Sequence, residues 1–323
     1  EKSRFITQLE SEYKSTKINY FNYESKLFPK ENIIAIENKD CSESIDSWLK
    51  SGISASSILT YFRCPISFYC QFIVGVKEPA KVEENLNSMT FGNLAHNVLE
   101  KIYPNKILNI QDFQKMKFDI DSLIKAEMFQ ILGENVLKGV NYINFKMAKK
   151  ILNEMLDFEI SLVKKGAKIE IIDTEREIEF MTNIDNNEIK FYGKIDRIDR
   201  FENNIRIIDY KTGKLEKNEL NFNSMNDYEE IRNKPKAFQL LFYLFLVSNC
   251  YEFKNEKITS ANISLKEIDE GVSFLSIAKD IFKTNNNFQK DFMKLIEKII
   301  AEIREKNFIS CQRDSCVYCK NLF

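Results

Sequence analysis

The stretch Gly193-Lys194-Ile195-Asp196-Arg197-Ile198-Asp199-Arg200, followed after a short gap by Ile207-Ile208-Asp209-Tyr210-Lys211-Thr212-Gly213, constrains the fold more than any other part of this chain. Both halves are rich in β-branched residues with polar ones interspersed, and Glu202-Asn203-Asn204 lies between them, where asparagine tolerates the positive φ of a tight turn. The pattern predicts two antiparallel strands. With Asn203 and Asn204 as a two-residue turn, Glu202 pairs with Ile205, Asp196 falls opposite Lys211, and Asp209 falls opposite Ile198. Alternation of side chains then puts Asp196, Asp209 and Lys211 on one face. Directly opposed side chains lie about 5 Å apart and diagonal ones about 7 to 8 Å, close enough for two carboxylates to share one cation with an ammonium beside it. A slip of one residue would send them to opposite faces.

Aspartate oxygens are hard ligands that suit Mg²⁺ or Mn²⁺, and such an ion can polarise a phosphodiester and lower the pKa of a bound water. A neighbouring lysine can orient that water or stabilise charge on the phosphorane. The same residues on an exposed sheet face would be an ordinary solvated Asp/Lys ladder. The hairpin by itself leaves these two readings level.

At 323 residues the chain is long enough to bury a sizeable core, and its 44% hydrophobic and 29% charged composition is that of a globular protein. No apolar run reaches the roughly 18 residues of a membrane span, and nothing resembles a signal peptide. A net charge of -1 provides no global basic field, so any nucleic-acid binding must come from a local groove. The chain opens on Glu1 rather than Met, which suggests a piece of a longer protein. Seven cysteines, Cys41, Cys64, Cys70, Cys250, Cys311, Cys316 and Cys319, without secretion signals point to a reducing, cytoplasmic setting, where clustered cysteines serve metals rather than disulfides.

Residues 1–50 are polar and weakly periodic, and read as a lead-in segment, the tail of a preceding region; residues 51–323 read as the functional domain. Ser54 is a good N-cap for a short helix to Phe62, and Cys64-Pro65 breaks it before a second helix over 66–74. The segment Thr90 to Ile102 has apolar residues at helical spacing, with Gly92, His96 and Glu100 on one stripe. His96 is the sole histidine of the chain. It is either a structural helix residue or, with Gly92 one turn earlier allowing close approach, a third metal ligand. Two long amphipathic helices are predicted near 111–132 and 141–165, then a strand over 168–182 and a turn at 183–187 leading into the strand of Asp196. The polar stretch to Lys234 has few apolar anchors and reads as a mobile segment or a cover for the site. From Pro235 a strongly apolar helix carries Gln239 and Tyr243 at i, i+4, a pair that either bonds internally or faces the site. Residues 258–265 and 272–278 read as a closing hairpin, and 286–306 as a last amphipathic helix.

In chain order, Gly92-x-x-x-His96, Gly193-x-x-Asp196, Asp209-x-Lys211 and Gln239-x-x-x-Tyr243 resemble the motifs of the PD-(D/E)XK nuclease domain of the RecB and AddB helicase-nucleases, over residues 54–319. Each motif is weak; their order and structural context are specific. The segment Cys64-Pro65-Ile66-Ser67-Phe68-Tyr69 is similar to that family's entry helix. The resemblance implies an α/β fold with a restriction-endonuclease-like core, a central mixed sheet flanked by helices, with helical additions. It implies that His96, Asp196, Asp209 and the main-chain carbonyl of Tyr210 bind Mg²⁺ or Mn²⁺, that Lys211 is catalytic, and that Gln239 and Tyr243 support the site or touch DNA. The activity it implies is a metal-dependent exonuclease working at single-stranded or duplex DNA ends in recombinational repair, joined or bound to a helicase. The reading from another class is a DNA-binding or scaffold module that keeps the fold without turnover.

Three cysteines within nine positions, Cys311, Cys316 and Cys319, form a specific metal signal. The family resemblance implies a [4Fe-4S] cluster held between Cys64 and these three, with Cys70 a rival for Cys64 and Zn²⁺ the second choice of metal. The spacing here is C-x4-C-x2-C, whereas the family pattern resembles C-x2-C-x5-C, so either Cys311 substitutes for the last ligand, or the chain is truncated before it, or the cluster is degenerate.

Overall fold

The computed structural model describes residues 8, 35–37, 41–76, 85–184, 187–253, 256–285, 287–311, 313 and 316–321. One compact unit runs from Ala35 to Phe323. Its helices are α1 (Ser42–Ser51), α2 (Ala55–Arg63), α3 (Pro65–Phe68, continued by a π turn over Tyr69–Ile73), α4 (Ser88–Ile102), α5 (Ile110–Leu132), α6 (Val140–Lys164), α7 (Tyr228–Arg232), α8 (Pro235–Cys250), α9 (Phe288–Glu305) and α10 (Val317–Asn321). The main sheet contains β1 (Ile169–Ile184), β2 (Asn187–Phe201), β3 (Asn204–Lys211), β4 (Lys257–Ser264) and β5 (Val272–Phe274), hydrogen-bonded in that order.

The sheet is mixed. Strands β1 to β3 form an antiparallel meander, β4 runs parallel to β3, and β5 returns antiparallel on β4. The parallel pair needs a long crossover, and α8 supplies it. Helices α4, α5 and α6 share a core with Ile208, Tyr210, Ala261 and Ile263 of the sheet. Another apolar layer joins Phe238, Phe242 and Phe245 of α8 to Phe191 of β2 and Phe292 of α9. This five-stranded sheet flanked by helices is the restriction-endonuclease-like architecture that the motifs imply.

The local signals explain why these elements form where they do. Ser54 caps α2 through a reciprocal box with Ser57, Asn87 caps α4, and Asn109 caps α5 with Asp112. Pro235 occupies the first turn of α8, where its missing N–H costs nothing. Gly193 has a packing role, since a Cβ there would stand 2.9 Å from Leu246 Cδ1. It lets α8 approach β2 closely. Gly92 is less constrained, because a Cβ there would meet Thr212 Oγ1 at an ordinary 3.5 Å.

Three expectations change. The body extends upstream of residue 51, because Ile45, Trp48 and Leu49 of α1 are buried and Trp48 packs edge-on against Phe68 at 4.9 Å. The polar stretch before Lys234 is not an open segment. Residues Leu220, Phe222, Tyr228 and Ile231 are buried, Asn221–Phe222 pairs with Ser276–Ile277, and Tyr228 donates to Glu302 at 2.8 Å. The few apolar anchors suffice because each one is almost wholly enclosed. Finally, the β2–β3 turn is Glu202-Asn203, not Asn203-Asn204, so Phe201 pairs with Asn204. Glu202 takes φ 55°, and its N–H donates to the Lys168 carbonyl at 3.1 Å, a tertiary contact that overrides the preference of asparagine for the turn.

Candidate active site

The corrected turn moves the pairing by two residues, which keeps every side chain on its predicted face. The β2–β3 ladder ends at the Arg197–Ile208 pair. Asp196 therefore does not stand opposite Lys211. It lies just past the ladder, and its Oδ2 accepts the Tyr210 N–H at 2.7 Å. A backbone donor left free where the strands part is satisfied by an acidic side chain, and that fixes the carboxylate.

Helix α4 brings in His96. Leu94, Ala95, Val98 and Leu99 bury the core side of the helix, while His96 stays partly exposed and reaches the end of β3. Its Nε2 lies 3.1 Å from the Tyr210 carbonyl, and its Nδ1 lies 3.3 Å from Asp196 Oδ2 and 3.4 Å from Glu175 Oε1. Burial disfavours the imidazolium, yet the bonds to Asp196 and Glu175 hold its pKa up to about 10.

Tyr210 turns its ring into the α4–α6 core, so Asp209 and Lys211, its neighbours on the strand, point the other way. Asp209 Oδ2 receives Lys211 Nζ at 2.7 Å and Asn262 Nδ2 at 2.7 Å. Lys211 Nζ also donates to Gln239 Oε1 at 3.0 Å, and Gln239 Nε2 donates to the Tyr243 hydroxyl at 2.9 Å. The Gln/Tyr pair is bonded internally, and Gln239 also reaches Lys211. Burial, followed by the Asp196 charge, pushes the Asp209 carboxyl up to about 6 against the pull of Lys211.

The residues singled out for the nuclease centre thus meet in one chain of contacts or charge interactions. His96 and Asp196 touch each other and the Tyr210 backbone; Asp209, Lys211, Gln239 and Tyr243 follow in series. Sequence reading missed Glu175, Lys194 and Asn262. Lys194 Nζ pairs with Glu175 Oε2 at 2.8 Å. The ligand atoms of His96, Glu175 and Asp196 all lie within 4.8 Å of one another, two hard carboxylates and one borderline imidazole, a set that fits a divalent cation. Glu175 stands in a strand crowded with acids, and no spacing set it apart. Asn262 lies on β4, whose parallel register, Asp209 beside Asn262, no local signal revealed.

The cysteines gather at a second place. Cys64 at the start of α3 lies 3.5 Å, sulfur to sulfur, from Cys319 and 3.8 Å from Cys316, and Cys311 lies 3.9 Å from Cys319. All four ligand atoms stand within 4.8 Å of one another, so Cys311 does join the set and Cys64 is chosen over Cys70. Four thiolates are the donor set shared by iron-sulfur clusters and structural zinc. Metal–sulfur bonds of about 2.3 Å in a tetrahedron put sulfurs about 3.8 Å apart, the spacing seen here; a four-iron cluster fits the same donors once they spread. Ser67 steadies the site, with its Oγ 3.1 Å from Cys316 and its N–H donating to Cys64 at 3.4 Å.

With this geometry in hand, a family profile gives the class. The profile of the PD-(D/E)XK nuclease superfamily matches residues 52–321, and the chain belongs to that superfamily. Among curated relatives, an uncharacterized protein of Rickettsia felis is 26% identical over 79% of this chain and 28% of its own length. Another, from Rickettsia conorii, is 25% identical over 77% of this chain and 31% of its own. An ATP-dependent helicase/deoxyribonuclease subunit of Carboxydothermus hydrogenoformans is 26% identical over 72% of this chain and 22% of its own. The chain spans less than a third of each relative. The solved structure of SSO0001 is 18% identical, covers 66% of this chain and 86% of that one, and has a TM-score of 0.24. Among the described residues no helix is long and apolar enough to cross a membrane.

Proposed function

We propose that this chain is the nuclease domain of a helicase-nuclease, a metal-dependent deoxyribonuclease that hydrolyses phosphodiester bonds at DNA ends in recombinational repair. The domain runs from about Ala35 to the cysteine clasp, works in a reducing cytoplasm, and takes its DNA from a helicase subunit or a helicase region of the same protein. The observation that carries this reading is the series His96, Asp196, Tyr210 carbonyl, Asp209 and Lys211, brought together from a helix and two strands.

A bound Mg²⁺ or Mn²⁺ would polarise the scissile phosphate and supply an acidified water. His96, Asp196, Asp209 and the Tyr210 carbonyl are the groups to hold it. Lys211, held between Asp209 and Gln239, keeps its ammonium at the same spot, where it can orient the attacking water or stabilise charge on the phosphorane. Tyr243 in turn holds Gln239, so the lysine is located by a chain of bonds running back to α8. Fixing a flexible side chain in advance removes reorganisation from the reaction step.

The test is degradation of end-labelled linear DNA and of covalently closed circles with Mg²⁺, comparing the wild type with Asp209→Asn. Digestion of linear DNA lost in the variant supports the proposal. Equal activity in the two proteins refutes the metal assignment, digestion of circles refutes end dependence, and binding of DNA without cleavage by the wild type favours the scaffold reading.

We assign the four-cysteine site a structural role, since it ties α3 to the C-terminal α10 across more than two hundred residues of sequence. Protein purified without oxygen is expected to carry bound metal that Cys64→Ser releases. Iron with acid-labile sulfide identifies a cluster and zinc identifies a single ion.

A further inference from the structure

We propose that Glu175 is a ligand of the catalytic cation, sharing it with His96 and Asp196. This inference rests on the nuclease reading above and adds to it a residue that none of the motifs contains.

The first support is spacing. Neighbouring ligands of a six-coordinate ion with bonds of about 2.1 Å stand about 3 Å apart. Glu175 Oε1 and Asp196 Oδ2 lie 3.4 and 3.3 Å from the same nitrogen, His96 Nδ1, and the three ligand atoms lie within 4.8 Å of one another. One ion fits among them with small adjustments.

The second support is orientation. Glu175 sits on β1 between the pairs Thr174–Arg197 and Arg176–Ile195, beside Asp196 on the adjoining strand. Its backbone adopts φ 48°, a conformation that favours glycine, and a carboxylate occupies the position instead. The side chain is 7% exposed, and its two oxygens are divided between partners: Oε2 is anchored by Lys194 Nζ at 2.8 Å, which leaves Oε1 aimed at His96. Asp209 is placed differently, since its Oδ2 is already shared by Lys211 and Asn262. Glu175 thus offers the site an oxygen that has no donor from the catalytic lysine.

Binding of Mn²⁺ to the whole chain, followed by electron paramagnetic resonance of the free ion, tests this without relying on cleavage. Glu175→Gln is expected to weaken Mn²⁺ binding about 10- to 100-fold, as Asp196→Asn should. Glu175→Asp, which keeps the charge and shortens its reach, should lose less. Wild-type affinity in Glu175→Gln beside weakened binding in Asp196→Asn overturns the role of Glu175 and leaves the nuclease reading standing. No Mn²⁺ binding by the wild type overturns both. A glutamate acting only through the histidine would add no loss to His96→Ala, so a further drop in the double variant supports direct ligation and its absence refutes it.

Discussion

Asp199 and Asp209 lie on adjacent strands of one hairpin, both are fully enclosed, and their carboxyls are driven in opposite directions. Around Asp199, burial works against the charge, but the guanidinium groups of Arg197 and Arg206 hold the carboxyl below its usual range. Arg206 makes a two-pronged contact with it, both bonds at 2.8 Å. Arg197 also pairs with Glu159 at 2.7 Å and donates to the Tyr210 hydroxyl at 3.2 Å, and Tyr103 donates to Glu159 at 2.6 Å. That network contains two arginines and two carboxylates, and its charges cancel.

On the other side, Asp209 shares Lys211 with a site that also holds Asp196 and Glu175, and its carboxyl rises to about 6. Identical side chains at similar depth thus differ in their charged neighbours: two guanidinium groups hold Asp199, whereas Asp209 has the like charge of Asp196 beside its bonded ammonium. The balanced cluster is complete as it stands; at the site Asp196, Glu175 and Asp209 are matched by Lys194, Lys211 and the proton that His96 holds, and a divalent cation would take the place of that proton. The comparison separates a self-contained network from the candidate site without reference to any motif.

The largest effect expected from breaking the contrast is at the candidate site. Lys211→Ala should lower Mg²⁺-dependent DNA cleavage by about 10²- to 10⁴-fold, with circular dichroism unchanged. In the self-contained network, Arg197→Met strips two buried carboxylates of their partner and should cost about 3 to 5 kcal/mol in urea unfolding. Near-wild-type stability would mean that the network is not what holds the hairpin. Asp209→Asn should do the reverse. Because the carboxyl is raised in the folded state, its ionisation costs stability as pH rises through about 6, so the variant should be more stable than the wild type by roughly 1 to 3 kcal/mol at pH 8 in EDTA. That gain should shrink below pH 5, where the wild-type carboxyl is increasingly protonated. Asp199 has the opposite sign: its stabilising contribution is present above the ordinary carboxylate range and fades as pH falls through its lowered value. Asp199→Asn should therefore flatten the acid limb of the stability profile, the change that most sharply tests the comparison.

Part of this was legible from residue types alone. The helix over Ile110–Leu132 and the one over Val140–Lys164 fall within a residue of their predicted spans, because apolar periodicity and capping residues act locally. The faces of Asp196, Asp209 and Lys211 followed from alternation, which survives an even shift in register. Asp196 as the acceptor for Tyr210 N–H did not follow, since it depends on where the ladder stops.

The sequence by itself determined the helices, the hairpin and the residues able to do metal chemistry, all properties of neighbours along the chain. Tertiary structure alone decided three further matters. Lys168 pulled the turn onto Glu202, and the parallel placement of β4 put Asn262 against Asp209. Packing of α4 over the end of β3 chose Glu175, from a strand full of acids, to face His96. Each of these joins residues distant in sequence, and the energy that selects them is burial and charge pairing across elements, which no local pattern encodes.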